Sequence, residues 1–162
     1  MTLPDILHSV IYPGLSLLTP QMNTPPAVAM LLSIGLQESR FAYRRQIGGP
    51  ARGFYQFERG GGVKGVLSHH ATQGLICAVL DRLEYDRSVD TSYVAIEHND
   101  ALATVYARLL LWTLPDTLPG PGEYEKAWGQ YIDAWRPGRP HRDSFDDFYR
   151  QAWEVCGGYP ST

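Results

Sequence analysis

The apolar positions of this chain recur mainly at helical spacing. Asn23-Thr24-Pro25-Pro26 reads as a helix start, with Thr24 as N-cap and Pro25 in the first turn, where a missing N–H is harmless. From Ala27 to Gln37 the residues are apolar on almost every side (Val28, Met30, Leu31, Leu32, Ile34, Leu36), the mark of a helix buried all round. A second helix is expected near 72–85, with Leu75, Ile76, Val79, Leu80 and Leu83 on one face. A third is expected over about 99–113 through Leu102, Val105, Tyr106, Leu109 and Leu110, and a fourth over about 121–135 with Tyr124, Trp128, Tyr131 and Trp135 in register. The last begins near Ser144 and repeats Phe145, Phe148, Tyr149, Ala152, Trp153 and Cys156. Glycine- and proline-rich joints at 48–53, 60–65, 115–122 and 137–140 separate these segments. Without repeats or low-complexity tracts, the expectation is one mainly α domain over residues 1–162, with a buried central helix and at most a small β-hairpin.

Composition agrees with a packed domain. The chain has 162 residues, 44% hydrophobic and 12% aromatic, enough to bury a sizeable core. A net charge of −3 and a pI near 5.9 argue against a nucleic-acid partner, which calls for a basic excess. Cys77 and Cys156 show no metal-ligand spacing and read as two ordinary thiols. Near the N-terminus Pro4 and Asp5 stand where a signal peptide would carry basic residues, and no stretch is long enough to span a bilayer. The expectation is synthesis in the cytoplasm without stable membrane insertion.

Candidate chemistry concentrates where the buried helix ends. Glu38 follows eleven mostly apolar residues in Gln37-Glu38-Ser39-Arg40-Phe41. Apolar surroundings and the negative end of a helix dipole both disfavour a carboxylate, raising its pKa toward that of a general acid working near neutrality. The alternative is an exposed glutamate neutralised by Arg40, Arg44 or Arg45. The following segment, Ile47 to Glu58, is a glycine-punctuated turn leading into Gly53-Phe54-Tyr55-Gln56-Phe57. Close backbone approach at Gly53 would let this piece run past the acid; Gln56 could hydrogen-bond a sugar, and Tyr55 or Phe57 could offer a flat apolar wall. The alternative is a short hairpin edge whose aromatic side chains pack into the core.

Taken together, these blocks resemble a known family. Glu38-Ser39, followed fifteen residues later by Gly53-Phe54-Tyr55-Gln56, is similar to the Glu-Ser … Gly-Leu-Met-Gln signature of soluble lytic transglycosylases and goose-type lysozymes. Phe41 and Ala51 occupy matching flanking positions, and Asn99-Asp100-Ala101-Leu102-Ala103 resembles the family's Asn-Ile helix start. There are departures. Phe54-Tyr55 replaces Leu-Met, and Phe57-Glu58 replaces the usual continuation. The later Ala-Tyr-Asn-Ala-Gly motif has only approximate counterparts in Ala134-Trp135-Arg136-Pro137-Gly138, the better match, and Ala127-Trp128-Gly129-Gln130-Tyr131.

The resemblance implies a lysozyme-like domain that cleaves the β-1,4 MurNAc–GlcNAc bond of peptidoglycan glycan strands, with Glu38 as catalytic acid and no cofactor or metal. Glu58 is the implied second carboxylate should water be the nucleophile, set roughly 6.5–9.5 Å away in inverting enzymes. Ser39, Tyr55, Gln56, Phe57, Tyr131 and Trp135 are the implied substrate-binding residues. A short chain of this kind suggests a phage endolysin or virion-associated lysin, reaching the wall after release, export or virion delivery. The competing expectation is a non-catalytic virion or glycan-binding protein on the same fold. His69, His70 and His98 read as surface or capping histidines. The basic stretch Arg136, Arg139, His141 and Arg142 reads as a solvated turn or as a contact for peptide-stem carboxylates.

Overall fold

A computed structural model describes residues 1–157. The chain opens with α1 (Leu3–Ile6), passes through a π-helical turn (Leu7–Ile11) into α2 (Tyr12–Leu15), and makes a 3-10 turn (Pro20–Met22) before α3 (Pro25–Ser39). A second π-helical turn (Arg59–Val63) leads into α4 (Lys64–Ser68), followed by α5 (Gln73–Arg82), α6 (Val89–His98), α7 (Asp100–Trp112), α8 (Tyr124–Trp135) and α9 (Arg142–Cys156). The chain is mainly α, as its apolar spacing predicts. Among the described residues, β pairing is limited to isolated antiparallel bridges joining Arg52 to Arg45 and to Phe57, less than the hairpin allowed for.

The central helix forms for the reasons its residues suggest. Thr24 caps α3 by accepting a hydrogen bond from the Ala27 amide at 3.3 Å, and every residue from Ala27 to Leu36 is buried. Its widest contact is with α9, which turns Phe145, Tyr149, Ala152 and Trp153 inward. Gly35 supplies the space for Phe41, because a Cβ there would stand 2.0 Å from the ring. Arg40 and Phe41 then take left-handed conformations (φ 58° and 51°), which end the helix and fold the chain back over it. Asn99 caps α7 by accepting from the Leu102 amide at 3.0 Å. One continuous apolar cluster links all these elements.

Three helical regions lie outside the periodicity reading. In the N-terminal pair, Ile6, Leu7, Val10, Ile11 and Leu15 are buried at helical spacing, but Pro4 and Pro13 break the pattern on paper. Each proline sits in the first turn of its helix, where no N–H is needed. The segment 60–65, read as a joint, is helical, with Gly62 admitting the Phe57 ring where a Cβ would meet it at 2.9 Å. The third, α6, buries only Ser92, Ala95 and Ile96, a stripe too narrow to stand out, and is capped by Ser88. Cys77 and Cys156 are both free and half-buried.

Candidate active site

Glu38 stands in the last turn of α3, withdrawn from water by the packing around it. Burial pushes its carboxyl up to about 7, against a hydrogen bond from Tyr131 that acts in the opposite direction. That bond is short: the Tyr131 hydroxyl donates to Glu38 Oε1 at 2.6 Å. The arginines that could have neutralised the acid are engaged elsewhere. Arg44 makes two 2.8 Å bonds to Asp100, Arg45 bonds Glu97 at 2.7 and 3.1 Å, and Arg40 lies over the Phe148 ring at 4.3 Å. Among the described residues, no cation pairs with Glu38. The Tyr43 hydroxyl donates to the Glu38 backbone oxygen at 2.9 Å, closing one of the open carbonyls of the helix end.

The opposite wall comes from the turn at 53–57. Gly53 (φ 76°) and Gln56 (φ 52°) are both left-handed, and the Gln56 amide bonds the Gly53 oxygen at 3.0 Å. Gly53 is needed for close approach, and the chain it approaches is α6: a Cβ would stand 2.9 Å from the Ile96 oxygen. Ser39 is a buried joint and does not line the cleft. It is 1% exposed, its hydroxyl donates to the Phe54 oxygen at 2.7 Å, and its Oγ accepts from the Phe41 amide at 3.1 Å. Tyr55 likewise faces the core rather than the cleft. It is 1% exposed, with its hydroxyl 3.2 Å from Thr104 Oγ1, because the turn sends it to the side where α7 packs.

Gln56 and Phe57 do line the cleft, a cavity of about 300 Å³ shared with Glu38, Glu58, Trp135 and Arg136. Gln56 Nε2 is held by the Gly53 oxygen at 2.8 Å, which fixes the side chain against the turn. Phe57 packs edge-on against Trp135, whose indole N–H donates to the Tyr55 oxygen at 2.9 Å and so locks α8 to the turn. Tyr131 and Trp135 are four residues apart on one face of α8. Tyr131 holds the Glu38 carboxyl, while Trp135 lines the cleft. Glu58 is exposed on the rim. Arg59, its sequence neighbour, pairs with Asp90, leaving Glu58 without an ion-pair partner among the described residues.

The cleft continues across Gly60–Gly62 into a second cavity of about 530 Å³ reaching Thr113, Leu114 and Asp133. Tyr43, Gln46 and Leu110 also line the first cavity and escaped the motif reading, although Tyr43 and Gln46 lie between its two blocks. Of the basic stretch, Arg136 reaches the cleft, while Arg142 is taken up by Glu125 at 2.6 Å and Asp146 at 3.3 Å. The His69 and His70 rings stack at 4.4 Å, and His69 Nδ1 accepts from the Ala71 amide at 3.0 Å. No group of three His, Cys, Asp or Glu residues among those described could hold a metal ion. No described helix is long and apolar enough to cross a membrane.

Protein-family profiles, curated proteins and solved structures give no match to this chain. The chemistry of the site itself therefore carries the functional reading.

Proposed function

We propose that this protein cleaves the β-1,4 bond between N-acetylmuramic acid and N-acetylglucosamine in peptidoglycan glycan strands, with Glu38 as general acid. The observation that carries this reading is a carboxyl group raised to about 7 by burial, hydrogen-bonded by a tyrosine, and opening onto a cleft walled by an amide and aromatic rings. A carboxyl with that pKa is largely protonated at slightly acid pH and can give its proton to a glycosidic oxygen. As the bond breaks, positive charge develops at the anomeric carbon while Glu38 becomes a carboxylate. The Tyr131 hydroxyl stabilises that carboxylate, so it favours the state reached after proton transfer.

Two outcomes then follow. In a lytic transglycosylase the muramic acid 6-hydroxyl attacks C1 and gives its proton to the Glu38 carboxylate, while the proton Glu38 donated stays on the departing N-acetylglucosamine 4-hydroxyl, so one carboxyl serves as acid and then base. In a lysozyme, Glu58 would activate water from the rim. We favour the transglycosylase, because Glu38 is the one carboxyl lining this cleft that is withdrawn from water, whereas Glu58 is exposed. The partner is the glycan strand, and delivery as a phage endolysin or within a virion accords with the resemblance.

Digestion of purified sacculi tests the reading. Wild-type protein should clear them and release anhydro-muropeptides, one water lighter than hydrolysed products, and Glu58→Gln should leave that product mass in place. Hydrolysed products that vanish with Glu58→Gln would make it a lysozyme. A wild type that binds sacculi but never clears them would make it a glycan-binding protein.

A further inference from the structure

We propose that a pocket at the other end of α3, closed on one side by α7, binds a small carboxylate with an apolar body, anchored by the guanidinium of Arg108. Arg108 is 3% exposed, yet its sole hydrogen-bond partner among the described residues is the Met22 backbone oxygen, 2.9 Å from Nε. A guanidinium carries five N–H donors and keeps its charge throughout the physiological range. Here the bond from Nε leaves both terminal nitrogens unpartnered, and no carboxylate among the described residues lies within ion-pair distance. Buried charges are normally paired, so this arrangement is costly unless something fills it. The terminal nitrogens are not sealed in the core: Arg108 lines a cavity of about 490 Å³, within the roughly 300–1,000 Å³ typical of ligand pockets.

The rest of the lining defines the ligand. Trp112, one turn along α7, places its ring 5.5 Å from the guanidinium carbon, and Leu111, Leu114, Leu118 and Pro26 make the walls mainly apolar. The one acidic side chain on the lining, Asp116, is exposed and does not pair with Arg108. Thr117, also on the lining, accepts a hydrogen bond from the Lys126 ammonium at 3.0 Å, which brings a second positive charge near the mouth. The α3 N-terminus adds its dipole, although Pro25 and Pro26 offer no amide protons. One planar fork against apolar walls matches a carboxylate, which accepts two parallel bonds, better than a phosphate, whose larger charge needs more donors.

Titration of the isotope-labelled protein with hexanoate, hexan-1-ol and inorganic phosphate tests this, following the Arg108 Nε–H and Trp112 indole N–H resonances. Hexanoate should shift both saturably and bind about ten- to a hundredfold more tightly than hexan-1-ol, as expected for a desolvated charge-assisted pair. Phosphate should leave them nearly unmoved. Equal binding of the acid and the alcohol would reduce the pocket to an apolar groove and overturn the proposal. So would phosphate shifts as large as those from hexanoate, or no saturable shift at tens of millimolar. Arg108→Met, if its amide spectrum remains that of a folded protein, should abolish the preference for the acid. The wild-type contrast decides the matter without it.

Discussion

The two ends of α3 each hold a buried ionisable group, and the two groups meet that condition in opposite ways. At the C-terminal end, Glu38 can escape its desolvation by taking up a proton, so burial there produces an acid with a pKa of about 7. At the N-terminal end, burial lowers Arg108 only to about 10, so it stays charged at neutral pH. A carboxyl in an apolar setting becomes a proton donor. A guanidinium in an apolar setting remains a cation in want of an anion. The same physical cost thus gives, by our proposals, chemistry at one end of the helix and recognition at the other.

The largest expected effect separates the ends outright. Glu38→Gln removes the proton donor while keeping size and shape, and should lower sacculus clearing by about 10²–10⁴-fold. Sacculus binding should be largely retained, and the hexanoate shifts at Trp112 should be those of the wild type. Clearing at the wild-type rate would remove Glu38 from the mechanism.

A smaller effect probes how the acid is tuned. Tyr131→Phe removes the hydrogen bond that favours the Glu38 carboxylate, so the Glu38 pKa should rise. The alkaline limb of the clearing profile should move above its wild-type position near 7, and the rate should fall about tenfold through lost positioning. A profile that does not move would mean that another group sets it.

Gly53→Ala disturbs the cleft end through the backbone. The residue is held at φ 76°, and a Cβ would meet the Ile96 oxygen at 2.9 Å. A loss of about 1–3 kcal/mol in denaturant unfolding is expected. The cleft wall carrying Gln56 and Phe57 should loosen while the Arg108 pocket stays as it was.

Gly53 also shows what could be read from the residues alone. Its glycine signalled a tight approach, but the approaching atom belongs to α6, a helix with too few buried positions to be seen by periodicity. The central helix, by contrast, was legible end to end, since a continuous apolar run, a Thr-Pro start and a polar stop leave one arrangement open. Within the site, Glu38 and Gln56 were legible from their spacing. Which neighbours faced the cleft was not, because the left-handed residues at 53 and 56 set the direction of Tyr55 and Phe57. Alternation alone would place Tyr55 and Phe57 on one side; the structure sends Tyr55 to Thr104 and Phe57 to the cleft. Arg108 carries a signal of its own: one charge in the run Ala107-Arg108-Leu109-Leu110-Leu111 on a helix whose spacing is otherwise that of core.

The smallest net effect is that of Arg108→Met on stability, and its pH dependence set beside that of Glu38→Gln distinguishes the two ends most cleanly. Below about pH 4.5 Glu38 is protonated whether the chain is folded or not, and its burial costs nothing. As pH rises from 4.5 to about 7 the unfolded chain ionises while the folded one resists, and the cost grows, then holds constant above 7. Glu38→Gln should therefore leave unfolding free energy nearly unchanged at acid pH and raise it by about 3 kcal/mol at alkaline pH. Arg108 follows the opposite rule: its folded pKa of about 10 lies below the ordinary guanidinium value, so its burial cost is fully present below 10 and relieved only as pH rises above it. Arg108→Met gains by removing that cost and loses by stranding the Met22 oxygen, for a net change within about 1 kcal/mol. That change should not vary across the range in which Glu38→Gln does. Denaturant melts of both variants across that range check the contrast: a flat profile for Glu38→Gln would mean that its carboxyl is hydrated in the folded protein, and the case for a buried acid would fail with it.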